Sequence, residues 1–279
     1  MGYAASDGGV EGGGVDVGVG YDGPREGEAG GFLDASLIPE AGTDATQQPD
    51  VGIGTSFCSK LSPQPTFCSD FDEGSSSLAV WTVIAGNGYC CGFPDGGAVG
   101  LDTSTSTSAP ASLHEMTDLA PADAGFFRAL VLKQFGTASA VTMASDVLVA
   151  TANTVAIADL SFQHPNGTED DLDLDLINGY VFQGIPAGDS GAQGENYVAS
   201  FTIDGGVPHG AWHRIALNVV VGPPATLSVM IDSTTVINAA ALDPRFTNGI
   251  TEVLFGVTGR PVSPMEDMHI DNVVVDTTP

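Results

Sequence analysis

The chain has 279 residues, with 35 Asp and Glu against 7 Lys and Arg and a formal net charge of −28. That balance excludes nucleic acid and anionic membrane surfaces as partners, because both require a basic footprint. It attracts divalent cations instead, while a hydrophobic content of 42% allows a sizeable core and no apolar stretch approaches the ~20 residues of a membrane span.

Residues 1–50 hold 13 of the 37 glycines, ten acidic residues and a single basic one, Arg25. Such a stretch cannot bury enough apolar surface to offset the entropy of ordering it. Residues 1–55 are therefore predicted to be a flexible tether and 56–279 the folded domain. Met1-Gly2-Tyr3-Ala4-Ala5-Ser6 fits a myristoylation pattern, but the cysteines that follow argue against a cytosolic protein. A start codon placed on a mature or truncated exported protein, secreted or held at the cell surface, is the expectation. A lipoprotein whose signal is absent from this chain is one form of it.

Cys58, Cys68, Cys90 and Cys91 fall within 34 positions, and the rest of the chain has none. The clustering points to a local disulfide staple in an oxidising compartment. Of the three pairings, two bridges tying 58–68 to 90–91 are favoured, and Cys58–Cys68 beside a vicinal Cys90–Cys91 is the alternative. Zinc remains a further use of the same residues, although no C-x2-C pair is present.

From about residue 66 the chain reads as strands and turns. Apolar or alternating runs span Phe126 to Lys133, Ala140 to Val149, Val155 to Phe162, Asp170 to Ile177 and Tyr180 to Ile185. Others span Tyr197 to Ile203, Trp212 to Val221, Thr226 to Ile231, Glu252 to Val257 and Met268 to Val275. Asn166-Gly167, Asn178-Gly179, Gly205-Gly206, Gly222-Pro223-Pro224 and Asn248-Gly249 punctuate them as turns. Many short strands with no sustained helical period predict an all-β, two-sheet antiparallel sandwich of the jelly-roll kind. The plainest hairpin is Trp212–Asp232. Ile215, Leu217 and Val219 share one face of its first strand with His213, and Leu227, Val229 and Ile231 share one face of its second.

Within the fourth run, Glu169, Asp171, Asp173 and Asp175 alternate with Leu172 and Leu174. A period of two places the carboxylates on one face of a strand. Like charges side by side repel unless they are well solvated, hold a cation or keep a proton at a raised pKa. A solvated face, a calcium site and a catalytic pair all remain open. Trp81 and Trp212 read as core residues, with sugar stacking as the functional alternative. Tyr89, Phe93, Tyr180 and Tyr197, in or beside glycine-rich loops, are the better ligand-stacking candidates. His164, His209 and His213 show no metal spacing, and no nucleophile elbow, P-loop or dinucleotide fingerprint is present.

The hairpin Trp212-His213-Arg214-Ile215-Ala216-Leu217, closed by Leu227 to Ser233, resembles the concanavalin A-like lectin/glucanase superfamily, including its laminin-G-like modules. Phe67 to Gly74 followed by Trp81 resembles the opening strand of those jelly rolls, and His269 to Val275 resembles the closing one. The resemblance covers roughly residues 66–276. It implies that the first and last strands pair and that Asp70, Asp72, Glu73 and Asp271 hold a structural Ca²⁺. It also implies a polysaccharide or surface glycan as partner, bound by an exported adhesion module. The β-glucan-cleaving members carry a similar acidic alternation with Glu where this chain has Asp. A diverged glycosidase would then use Asp171 and Asp175 as acid and nucleophile, with Asp173 tuning them. A display module without ligand is the third reading.

Overall fold

A computed structural model describes residues 56–86, 97–117, 127–150, 156–163, 169–175, 180–186, 195–203, 206–244, 249–259 and 266–279, with the backbone alone described along much of one sheet. In chain order, a one-turn helix α1 (Phe57–Lys60) precedes β1 (Phe67–Ser69), β2 (Thr82–Gly86), β3 (Gly97–Asp102), β4 (Ser112–Thr117) and β5 (Phe127–Ala138). Then come β6 (Ala140–Val149), β7 (Ala156–Gln163), β8 (Glu169–Asp175), β9 (Tyr180–Pro186) and β10 (Glu195–Thr202). The last are β11 (Trp212–Val220), β12 (Thr226–Ile231), β13 (Thr234–Ala241), β14 (Ile250–Gly259) and β15 (Glu266–Thr278).

Two antiparallel sheets result. The first runs β13-β12-β11-β6-β15-β4-β3, with β1 also paired to β15, and the second runs β10-β9-β8-β7-β14-β5-β2. The expected all-β sandwich is what forms. One core cluster draws on both sheets: Val141, Met143, Val147, Ile215, Leu217, Val219, Leu227 and Val229 from the first, and Val131, Val253, Phe255 and Val257 from the second. Alternation in sequence becomes burial here, at about 1.5–3 kcal/mol for each fully buried Val, Leu, Ile or Phe. The hairpin forms in the register its pattern requires, with Ile215 opposite Ile231 and Leu217 opposite Val229.

Strand β15 organises the first sheet. One edge pairs with β6; the other pairs with β4 over Glu266–Ile270 and with β1 over Val273–Val275. Between these two partners the register against β6 shifts at Asp271/Val274, and Asn272 takes φ 50°. This bulge lets Ile270 and Val273 both face the core although they are three residues apart. Gly256 on β14 marks a second close approach. A Cβ there would lie 2.2 Å from the Ala129 carbonyl oxygen, and its φ of +149° suits only glycine.

Trp81 is buried as expected, edge-on to Phe67 and Phe255 and stacked on Phe71, and its indole N–H donates to Ser69 Oγ at 3.3 Å. Trp212 is not a core residue. It sits half-buried on the outer face of the first sheet, 6.3 Å from the His269 ring. The core also holds one misfit. Glu115 on β4 is fully buried, neither carboxyl oxygen has a hydrogen-bond partner, and burial raises its pKa well above the ordinary carboxyl value.

Cys58 bonds to Cys68, with Cα atoms 5.8 Å apart. This corrects the favoured expectation of bridges from 58–68 to Cys90 and Cys91, which lie outside the described residues. β1 is held along β15, and the bond ties α1 to it through Cys58 and Cys68. Closing a loop of ten positions restricts the unfolded chain and is worth about 2–3 kcal/mol. Replacing both cysteines by serine is expected to lower the free energy of unfolding by that amount, read from urea unfolding with midpoint and slope both fitted. An unchanged free energy would show that β1 pairing alone holds this segment.

Candidate functional site

The acidic run forms β8, an interior strand of the second sheet. Its register sets Asp171, Asp173 and Asp175 opposite Gly184, Phe182 and Tyr180 on β9. On the other side Asp173 lies opposite Asp159 on β7, and Asp159 lies opposite Leu254 on β14. Directly opposed residues of a pleated sheet share a face. The acidic positions therefore belong to the face carrying Leu254, whose neighbours Leu130 and Leu132 form a small apolar cluster apart from the main core. Glu252, two residues before Leu254 on β14, is buried and accepts a hydrogen bond from Gln134 Nε2 at 3.1 Å. Tyr180 on β9 lies opposite Thr202 and Tyr197 on β10 lies opposite Gly184, so the two stand on neighbouring strands but four positions apart along β9. Tyr89 and Phe93 lie outside the described residues. The pairing of Asp159 with Asp173 could not be read from sequence, because strand register is not written in either segment alone.

The acids expected to clamp the chain ends separate into two groups. Asp70 follows β1 and is fully buried; its Oδ2 accepts the Cys58 N–H at 2.9 Å, and its Oδ1 has no partner. Phe71, at φ 56°, turns the chain so that Asp72 comes close. Burial, and after it the Asp70 charge, push the Asp72 carboxyl up to about 7, and its Oδ1 is also buried without a partner. Two such oxygens on adjacent carboxylates are the donor type a hard cation takes. Glu73 instead accepts from Ser77 Oγ at 2.9 Å.

Asp271 belongs to the second group, at the β15 bulge. It accepts the N–H groups of Thr107 at 2.9 Å, Ser108 at 2.8 Å and Asn272 at 2.8 Å, and the hydroxyls of Thr107 and Ser108. Burial and the neighbouring Asp146 outweigh these donors and push its carboxyl up to about 7. Asp146 accepts from Arg214 Nη1 at 3.1 Å and from Asn272 Nδ2 at 2.7 Å. Arg214 Nη1 also donates to the Asn272 carbonyl at 2.8 Å, and its guanidinium lies 5.5 Å from the Phe57 ring. This network leaves Asp271 its full set of donors, so the structure does not gather the four acids around one point. The first and last strands are joined by other means: the β1–β15 ladder, and the Thr66 N–H donating to Asp276 at 2.9 Å.

The architecture is that of a jelly-roll β-sandwich. No family model and no curated protein matches the chain. Solved structures do resemble it. The endo-β-1,4-glucuronan lyase of the fungus Trichoderma reesei superposes with a TM-score of 0.55 at 16% identity, over 77% of this chain and 96% of that one. The cellulose induced protein Cip1 gives 0.55 at 16%, over 76% and 97%. Alginate lyase vAL-1 from Chlorella virus gives 0.51 at 11%, over 76% and 99%. At these identities the likeness is one of fold. Among the described residues no helix is long and apolar enough to cross a membrane.

Proposed function

We propose that this protein binds a neutral polysaccharide on the face of the second sheet that carries β8, as an exported adhesion or carbohydrate-binding module. The observation that carries this reading is the line of alternating acidic positions on an interior strand, flanked by Tyr180 and Phe182 positions on the next strand. Carboxylates accept pairs of sugar hydroxyls, and aromatic residues stack on sugar faces. Support for a glycan as the ligand comes from the fold it shares with a glucuronan lyase and an alginate lyase. Those two polymers are polyanions, whereas this chain carries −28 and places Asp159, Asp171, Asp173 and Asp175 on one sheet face. Repulsion therefore selects a neutral glycan.

Asp70 and Asp72 would hold a structural Ca²⁺, their unpartnered oxygens supplying two of the 6–8 ligands such an ion takes. Its chemistry there would be charge neutralisation of a buried acidic pair beside the disulfide.

One register observation favours a catalytic reading as well. Asp159 and Asp173 are directly opposed, and opposed residues stand closer than Asp171 and Asp175, which are ~13 Å apart along one strand.

The test is retention of the full chain on immobilised neutral β-glucans and on polyuronates, with calcium and with chelator, while newly released reducing ends are assayed. Retention on the neutral polymers that Asp173→Asn weakens at least tenfold is the expected result. Equal retention on polyuronates, or none on any polymer, would overturn the binding reading. Product release that Asp173→Asn abolishes would move the protein to the enzymes.

A further inference from the structure

The first sheet carries a second cluster of ligating side chains, on the outer face away from the core and from β8. β4 and β15 pair so that His114 stands directly opposite His269. Asp267 lies two residues before His269 on β15 and so shares its face. The two imidazoles stack with centroids 4.2 Å apart and planes 2° from parallel. Both direct Nε2 at the same carboxylate oxygen, Asp267 Oδ1, at 2.9 Å from His114 and 3.6 Å from His269. All three ligand atoms lie within 4.8 Å of one another.

We propose that His114, His269 and Asp267 form a binding site for a divalent transition-metal ion of the zinc type. Two imidazole nitrogens and one carboxylate oxygen suit Zn²⁺, at ~2.0–2.2 Å per ligand. They suit Ca²⁺ and Mg²⁺ poorly, since those ions take oxygen ligands. An ion bound at these lengths needs its donors somewhat closer together than 4.8 Å, which small tilts of the two stacked rings supply.

The surroundings of His269 fit the same role. Its other ring nitrogen, Nδ1, faces Ser112 Oγ at 3.4 Å and Asp102 Oδ2 at 3.6 Å. An oxygen partner on the far nitrogen is what fixes a metal-ligating imidazole with Nε2 toward the ion. Asp102 is itself held by the Ser104 N–H at 2.8 Å and hydroxyl at 2.7 Å.

The ligands sit on rigid paired strands, and Trp212 flanks the buried His269 ring. The His114 and Asp267 side chains are 24% and 29% exposed. Solvent therefore reaches both side chains, and three protein ligands leave a fourth position for water. The site is independent of the polysaccharide reading.

The experiment is calorimetric titration of the full chain with Zn²⁺ in excess Mg²⁺, which occupies sites made of carboxylates alone. Visible spectra with Co²⁺ report nitrogen ligation. His114→Ala and Asp267→Asn are the test variants because both side chains are partly exposed, and His213→Ala is the control. One equivalent of Zn²⁺ per chain, weakened at least tenfold in both test variants and unchanged in the control, is the expected result. It should come with ligand-field bands that both test variants lose and a Zn²⁺-dependent rise in melting temperature. No retained equivalent in excess Mg²⁺, or binding that neither variant alters, would overturn the site and leave the trio as a hydrogen-bonded cluster.

Discussion

Arg214→Met is expected to lose about 3–5 kcal/mol of stability at pH 7. The guanidinium is the cation that faces Asp146, whose side chain is 1% exposed, and it also caps the Asn272 carbonyl at the β15 bulge. Methionine keeps the packing against Phe57 and removes the charge, leaving Asp146 and Asp271 buried together without a counter-ion. Such a charge is strongly destabilising, whereas a neutral group of the same shape is not. Arg214→Met combined with Asp146→Asn should therefore recover most of the loss. The check is urea unfolding of the three proteins. A single-variant loss under about 1 kcal/mol, or a double variant no better than the single, would mean that water screens this network.

Stability should fall as pH rises from about 4 to 7, the reverse of proteins held by salt-bridged carboxylates. Asp271 has a folded pKa of about 7 against 3.8 for the free group, so the folded state holds a proton that the unfolded chain releases. Its contribution is fully present below about pH 3.8 and lost as pH climbs through about 7. The full displacement corresponds to about 4 kcal/mol. Asp72 and Glu115 shift in the same direction, Asp72 more weakly in effect because water reaches it. Asp102 opposes them, since hydrogen bonds from Ser104 and Thr105 and the nearby His269 outweigh burial and hold its carboxyl below the ordinary value. Its share is lost only at more acid pH. Melting temperature against pH is the measurement, in chelator and repeated in Asp271→Asn and Glu115→Gln. A melting temperature that climbs between pH 5 and 7.5, or a slope that neither variant reduces, would overturn the assignment. Calcium that flattens the slope in the parent protein but not in Asp72→Asn would place the ion on Asp72.

Much of the sandwich was legible because burial follows alternation. The runs at 140–149 and 226–231 coincide with β6 and β12, and the hairpin at Trp212 forms in its expected register. β2, β3, β4 and β13 lie outside the expected runs for identifiable reasons, β2 being a five-residue edge strand of the second sheet. β3 and β13 are edge strands, one glycine-rich and one a Thr- and Ala-rich stretch with two register shifts against β12. β4 sets Glu115 at a core position and so breaks the pattern by which strands are recognised. The same omission hid the His114–His269 pair. No spacing along the chain can reveal them, because these two histidines are 155 residues apart and meet only through the β4–β15 register. The four acids assigned to one clamp were separated by the bulge, which turns Asp271 into a loop of hydroxyls and N–H groups that no linear motif announces.

The placement of β15 sets the timing of folding. Its neighbours β1, β4 and β6 are all made earlier in the chain, and the bond between Thr66 and Asp276 spans 210 positions. At ~5–20 residues per second, synthesis needs roughly 10–40 s to cover that distance. For the part of that interval between the making of β6 (Ala140–Val149) and of β15 (Glu266–Thr278), the first sheet lacks the strand that joins its two halves, and the edges of β4 and β6 stay unpaired there. A nascent polypeptide with this topology cannot complete its first sheet until that one strand arrives.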